Sequence, residues 1–260
     1  MTVKYDVLGE GYNITRQADD YLAERMYALL QAEAGKKYLD VGCGTGNYTI
    51  ALNQRGIQFT GIDPSEKMLS EARAKNSSIK WLKGRVEELP FNNETFDGVL
   101  ASLTLHHWQD IDRGFSEIKR VLKPGALFVI FTSSPAQMSS YWLNHYFPEL
   151  MKKSSAQMPS EAFVTKALVK NGFSVQNTEK YSVDHQLRDL FLQSGKYRPQ
   201  LYLDPQVRSG ISTFADLANA EEVEKGLEML KQDIASGKIE SIIEQYESDT
   251  GDYLFIVSRS

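Results

Sequence analysis

Cysteine is nearly absent: Cys43 is the single thiol in 260 residues, which excludes an intrachain disulfide and any metal cage of several thiolates. Long apolar runs are missing as well. Leu127-Phe128-Val129-Ile130-Phe131 is among the longest, far below the roughly 20 residues that a membrane-spanning helix requires, so no membrane partner is expected. The opening residues, Met1-Thr2-Val3-Lys4-Tyr5-Asp6, hold neither the apolar segment nor the small-residue cleavage site of a secretory signal, and a cytoplasmic location is expected. No block of Lys or Arg occurs and the formal net charge is −5. Nothing therefore draws polyphosphate in general, and nucleic acid is a disfavoured partner. What is present, 42% apolar and 24% charged residues, suits one large core with a modest appendage, as a monomer or a homodimer.

From residue 37 to about 132, short apolar runs alternate with amphipathic segments of helical period, the pattern of right-handed strand–helix–strand units. Strands are predicted at 37–41, 58–62, 79–82, 96–101 and 126–132, with helices at 47–55, 65–75 and 111–122. Each strand is nearly all apolar, as expected when helices cover both faces of a parallel sheet. After Thr132 the rhythm breaks into Ser133-Ser134-Pro135 and an aromatic-rich stretch. A helix at 160–170, a strand at 173–183, a polar helical region and a last strand at 252–258 follow. The predicted fold is α/β: a Rossmann-like, doubly wound, mostly parallel seven-stranded sheet with an antiparallel last strand and a helical cap insertion. Its expected parts are an N-terminal helical lid (1–36), the core (37–183), the cap (184–247) and the final strand (248–260).

Within Tyr38-Leu39-Asp40-Val41-Gly42-Cys43-Gly44-Thr45-Gly46 an apolar strand runs straight into three glycines and a helix start. Glycine lets backbone approach a ligand with no Cβ in the way, and the helix N-terminus offers unpaired N–H groups. The next strand ends in Gly61-Ile62-Asp63-Pro64, with Asp63 placed 17 positions beyond Gly46, about the spacing of a ribose-binding acid. These residues imply an adenosine-containing cofactor, either NAD or S-adenosylmethionine. Asn47, followed by Tyr48, stands where a Gly-x-Gly-x-x-Gly pattern beginning at Gly42 would need its third glycine, which counts against a dehydrogenase.

The loop resembles the first motif of class I S-adenosylmethionine-dependent methyltransferases, in particular their small-molecule subgroup, and further motifs follow in order. Gly61-Ile62-Asp63-Pro64-Ser65, Glu87-Glu88-Leu89-Pro90-Phe91, Phe96-Asp97-Gly98-Val99 and Leu122-Lys123-Pro124-Gly125-Ala126 are similar to the later ones. The resemblance implies S-adenosylmethionine as cofactor and assigns site residues. Gly42, Cys43, Gly44 and Gly46 would border its methionine part, with Asp40 near the amino group and Ser102 and Leu103 beneath. Asp63 would hold the ribose hydroxyls, and Ile62 or Met68, with Pro64, would flank the adenine. Val86 would supply a backbone contact to the adenine ring. Relatives often carry an Asp where Arg85 stands here; Arg cannot accept a hydrogen bond, so adenine recognition would rest on backbone groups or on Glu87.

Several residues are candidates for contact with a methyl acceptor. His107 or His106, past the fourth strand, could act as a general base near neutral pH, whereas adjacent histidines make a poor zinc cage. Tyr12 and Arg16 belong to a segment that in relatives folds over the cofactor, and Arg16 could pair with its carboxylate. Tyr141 and Trp142 could wall an apolar acceptor pocket. Arg198 and Arg208, in a cationic and phenolic cluster, would suit an anionic small-molecule acceptor. An NAD-dependent oxidoreductase and a non-catalytic S-adenosylmethionine-binding module are the alternative functions.

Overall fold

A computed structural model describes residues 15–260 of the chain; Tyr12 lies outside the described residues. After α1 (Asp20–Leu30) come β1 (Lys37–Val41), α2 (Asn47–Asn53), β2 (Gln58–Asp63), α3 (Glu66–Lys75), β3 (Lys80–Lys83), β4 (Phe96–Ser102), α4 (Ile111–Val121) and β5 (Leu122–Thr132). Three short helices follow, α5 (Pro135–Ser139), α6 (Leu143–Tyr146) and α7 (Pro148–Gln157), then α8 (Glu161–Lys170) and β6 (Ser174–Tyr181). The chain ends through α9 (Pro205–Ser209), α10 (Ser212–Leu217), α11 (Ala220–Ser236), α12 (Lys238–Gln245) and β7 (Tyr253–Arg259). The helix starts follow local chemistry: Ser65 and Asp110 lie just before α3 and α4, and each side chain accepts a first-turn N–H, the role of an N-cap.

The strands form one seven-stranded sheet in the order β3-β2-β1-β4-β5-β7-β6. β1 to β5 pair in parallel, and β7 lies antiparallel between β5 and β6, so the predicted sheet is the one the chain forms. Side chains alternate in period two along each strand. Leu127, Val129 and Phe131 face a core made with Leu22, Met26 and Leu52 of α1 and α2. Phe128 and Ile130 face the opposite core, made with Phe115, Ile118 and Leu168 of α4 and α8. β5 begins earlier than its apolar run suggests: Leu122 pairs with Phe96 before the register shifts, and Gly98 pairs with Leu127. The irregularity accommodates Pro124-Gly125, with Gly125 at φ 78°, as a bulge does.

The helical cap is assembled from two separated stretches. Trp142, Phe147 and Leu150 of the helices after β5 are buried in one cluster with Tyr202, Phe214, Leu230 and Ile242 from the region between β6 and β7. A boundary at residue 184 therefore divides a single cluster of apolar side chains. The helices at 135–157 had no legible period because two of them span only four and five residues. The segment before α1 is tied to the cap: the Leu190 N–H donates to the Thr15 carbonyl at 2.9 Å, and the Arg188 N–H to the Asp19 carboxylate at 3.1 Å. No helix among the described residues is long and apolar enough to cross a membrane.

Candidate active site

The strand order reverses between β1 and β4, and crevices at the carboxyl ends of strands are where such sheets hold ligands. Here a cavity of about 520 Å3 opens there. Its floor is the glycine loop after β1, Asp63-Pro64 after β2 and Ser102-Leu103-Thr104 after β4; its roof comes from the cap. Leu103 sits in the left-handed region at φ 52°, held by its N–H bond to the Phe131 carbonyl at 2.7 Å. A conformation of that kind costs on the order of 1 kcal/mol and clusters at functional sites.

The three loop glycines have three different reasons to be glycine. All have positive φ: 70° at Gly42, 53° at Gly44 and 75° at Gly46. A Cβ on Gly42 would meet the Thr104 hydroxyl at 2.1 Å, and one on Gly46 would meet the Trp81 ring at 2.4 Å. Those two positions are closed by the protein itself. A Cβ on Gly44 would meet nothing within 4 Å, and Gly44 lines the cavity, so its missing side chain leaves space for a ligand. Gly46, expected beside the ligand, is not among the lining residues; Trp81 covers it.

Two buried carboxylates organise this floor. Asp63 accepts the Gly44 N–H at 2.9 Å on one oxygen and the Ser65 N–H at 2.8 Å on the other. It thus joins the ends of β1 and β2. Asp40 accepts the Thr49 hydroxyl at 2.6 Å. Burial pushes its carboxyl up to about 7, against the Thr49 hydrogen bond and with help from the neighbouring charge of Asp63. Burial likewise pushes the Cys43 thiol upward, so a protonated, unreactive thiol lines the loop.

Arg16 also lines the cavity. Its guanidinium makes a two-pronged pair with the buried Asp189, at 2.5 and 3.3 Å, and Tyr48 donates its hydroxyl to the same carboxylate at 3.1 Å. Asn47 donates to the Arg16 carbonyl at 2.7 Å. The N-terminal segment, the start of α2 and the cap therefore meet at one wall. Asp189 lies 173 positions from Arg16, and no local pattern could have announced it.

Beside the main cavity is a recess of about 50 Å3 bordered by Ile62, Arg85, Val86, Glu87 and Trp108. Glu87 spends one carboxylate oxygen on the N–H groups of Gln109 and Asp110. His107 borders both spaces; its ring lies 3.8 Å from that of His106, centroid to centroid, tilted by 49°. Ser102, Pro64 and Met68 line the main cavity.

Four residues expected at the acceptor are absent from the lining. Tyr141 and Trp142 are fully buried: Tyr141 bonds to the Tyr202 hydroxyl, and the Trp142 indole N–H donates to the Lys196 carbonyl at 3.2 Å. Met138, on α5, lines the cavity instead. Arg198 donates to the Leu187 and Ser194 carbonyls, and Arg208 to the Tyr202 carbonyl; both clamp cap backbone. Charge density in the sequence pointed at these arginines, but a guanidinium binds the nearest free carbonyls, and those lie within the cap's own turns. Lys196 is likewise spent, on Asp252 at 2.8 Å.

The chain matches the model of a family described as a methyltransferase domain over residues 39–130. A solved Anabaena variabilis protein, provisionally assigned as a methyltransferase from an antibiotic biosynthesis pathway, is 32% identical. That match covers 94% of this chain and 98% of that one, at a TM-score of 0.84. Malonyl-[acyl-carrier protein] O-methyltransferase of Pectobacterium atrosepticum is 31% identical over 122 residues, 46% of this chain and 48% of the relative. Demethylmenaquinone methyltransferase of Staphylococcus aureus is 41% identical over 117 residues, 43% of this chain and 48% of the relative. The chain spans about half the length of these curated relatives.

Proposed function

Because this chain belongs to the class I S-adenosylmethionine-dependent methyltransferases, we propose that it methylates a neutral, largely apolar small molecule held beneath the cap. Membership argues against the NAD-dependent oxidoreductase, and turnover of labelled cofactor separates methyl transfer from a non-catalytic binding module. The observation that carries the acceptor class is the cavity's lining: among the described residues its cations are Arg16 and Arg85, Arg16 is paired with Asp189, and Arg85 stands at the β3 end. The cap side offers Met138, Met158, Phe191, Ile211 and Leu217 with neutral hydroxyls and amides. An anionic acceptor would be buried there without a counter-charge, at a cost of several kcal/mol.

The cofactor fits this site by the open face of Gly44 and by the buried Asp63 carboxylate at the end of β2. Gly42, Cys43, Gly44 and Asp40 would border its amino-acid end, Asp63 its ribose, and Pro64, Met68, Val86 and Glu87 its base. Bound there, S-adenosylmethionine supplies an activated methyl group. The protein's share is to hold the acceptor in line and exclude water. His107, which borders both spaces, would take the proton that the acceptor releases onto an imidazole nitrogen.

The test is a screen of small molecules with methyl-labelled cofactor, followed by mass spectrometry. Label in neutral aromatic or aliphatic alcohols, phenols or amines is the expected result. Products confined to carboxylates, phosphates or macromolecules would sink the acceptor class.

Asp40 sets a pH dependence. Its carboxyl, near 7 without ligand, faces the Thr49 hydroxyl, the Asp63 carboxylate and the Cys43 thiol. An ammonium group arriving beside it favours the charged form. Affinity for S-adenosylhomocysteine should therefore rise as pH climbs from about 5.5 toward 7 and level off above, with proton release on binding at the lower pH. Calorimetry across that range should show the slope in the wild type and its loss in Asp40→Asn. A flat profile in both removes Asp40 from the ligand's amino group.

The arginines of the cap give a contrasting result. Arg198→Gln and Arg208→Gln should leave the acceptor KM within twofold and lower stability by about 1.5–3 kcal/mol, the range for losing a charge-assisted bond to a carbonyl. A rise in KM at unchanged stability would return them to the substrate.

A further inference from the structure

Gln193 is completely buried at the cavity wall, and its amide is only half used. Its Nε2 donates to the Asp252 carbonyl at 3.2 Å, while Oε1 has no hydrogen-bond partner. The orientation is fixed by chemistry, because flipping the amide would set Oε1 against the Asp252 carbonyl, acceptor to acceptor. An unsatisfied buried carbonyl costs about 1–3 kcal/mol, and such an orphan calls for an explanation. The same residue's backbone N–H donates to the Tyr253 hydroxyl at 3.2 Å. That bond uses an oxygen lone pair of Tyr253 and leaves its proton to be given elsewhere. Burial pushes the Tyr253 phenol upward, so it stays a donor. Tyr253 lines the cavity too, at the start of β7, next to the Asp252 that anchors the Gln193 amide.

Alongside the apolar side chains of the cap, these two groups form a neutral pair with one acceptor and one donor. Three nearby hydroxyls already have partners: Ser154 and Thr213 share a bond at 2.8 Å, and Ser133 donates to the Asp252 carbonyl at 3.0 Å.

We infer that Gln193 Oε1 and the Tyr253 hydroxyl form the subsite that recognises a hydroxyl group on an apolar methyl acceptor, with Gln193 accepting that hydroxyl's proton in a hydrogen bond and Tyr253 donating to its oxygen. This rests on the neutral-acceptor reading above and deepens it by naming the chemical handle. Gln193 is a specificity residue; it holds the acceptor and takes no part in breaking or forming bonds. Methionine in its place matches its length, removes the orphan carbonyl, and leaves the Asp252 carbonyl still bonded by Ser133.

The test compares 2-naphthol with 2-methoxynaphthalene, which differ by the hydroxyl donor, titrated into protein saturated with S-adenosylhomocysteine. The wild type is expected to bind the naphthol at least tenfold more tightly than the ether. Gln193→Met should bring the two within twofold, with S-adenosylhomocysteine affinity unchanged and a Tm no lower than wild type by more than a degree or two. A preference that survives Gln193→Met overturns the assignment, as does the absence of any preference in the wild type, including failure of both probes to bind. A drop in Tm of more than about 5 °C also overturns it, because the glutamine would then be a structural brace. The methyl-label screen answers separately: a chain that labels only charged acceptors overturns the neutral-acceptor reading, whichever way the naphthols bind.

Discussion

Gly44→Val is expected to raise the dissociation constant for S-adenosylhomocysteine more than a hundredfold, at least about 2.7 kcal/mol, while the protein remains folded. The expectation comes from the contrast within one loop. At Gly44 a Cβ would enter open space and touch nothing within 4 Å, so the β-carbon of a valine there meets no protein atom and its side chain grows from the cavity floor into the ligand's volume. The cost to the fold is that of a β-branched residue at φ 53°, about 1–3 kcal/mol and a few degrees of Tm. At Gly46 the relation is inverted: the added carbon would lie 2.4 Å from the Trp81 ring, so Gly46→Val should lower stability by several kcal/mol as α2 and β3 are forced apart. Calorimetric titration beside thermal melts separates the two. Retained binding in folded Gly44→Val would remove the loop from the site.

Asp63→Ala is expected to weaken the same ligand by about 3 kcal/mol or more, above a hundredfold. Loss of ribose contacts to a charged acceptor accounts for about 1.5–3 kcal/mol. The structure adds a second contribution, since both oxygens of Asp63 already hold backbone, Gly44 at 2.9 Å and Ser65 at 2.8 Å. Alanine would leave both N–H groups unsatisfied, and the glycine loop would lose the bond that sets its distance from β2. Asp63→Asn should also bind poorly, because its single carbonyl oxygen can serve one of those N–H groups while its NH2 faces the other. Hydrogen exchange at Gly44 should quicken in both variants, which distinguishes a loosened loop from a missing ligand contact. Affinity within threefold of wild type in either would show that Asp63 serves the fold alone.

Legibility in the sequence varied with the range of the interactions involved. The sheet was readable because each strand's burial on both faces writes an apolar run, and β7 was readable for the same reason, with Phe255 and Ile256 wholly buried. The glycine loop and Asp63 were readable because they are separated by one strand–helix–strand unit of nearly constant length. Tyr141 and Trp142 misled because an aromatic run looks the same whether its rings line a pocket or pack beneath it. Arg198 and Arg208 misled because a sequence shows charge but not the carbonyls that absorb it.

The sequence by itself determined the layers and an adenosine-containing cofactor, which follow from local period and from backbone freedom at particular glycines; the resemblance to a family narrowed that cofactor to S-adenosylmethionine. Only the tertiary structure decided what stands across from the glycine loop. Arg16 meets Asp189, Gln193 rests on Asp252, and helices from both sides of β6 close over the cavity. The physical reason is that a cap is held by contacts between residues dozens to more than a hundred positions apart. Each partner satisfies a hydrogen bond or fills a volume supplied by the other, and neither leaves a periodic trace in its own stretch of chain.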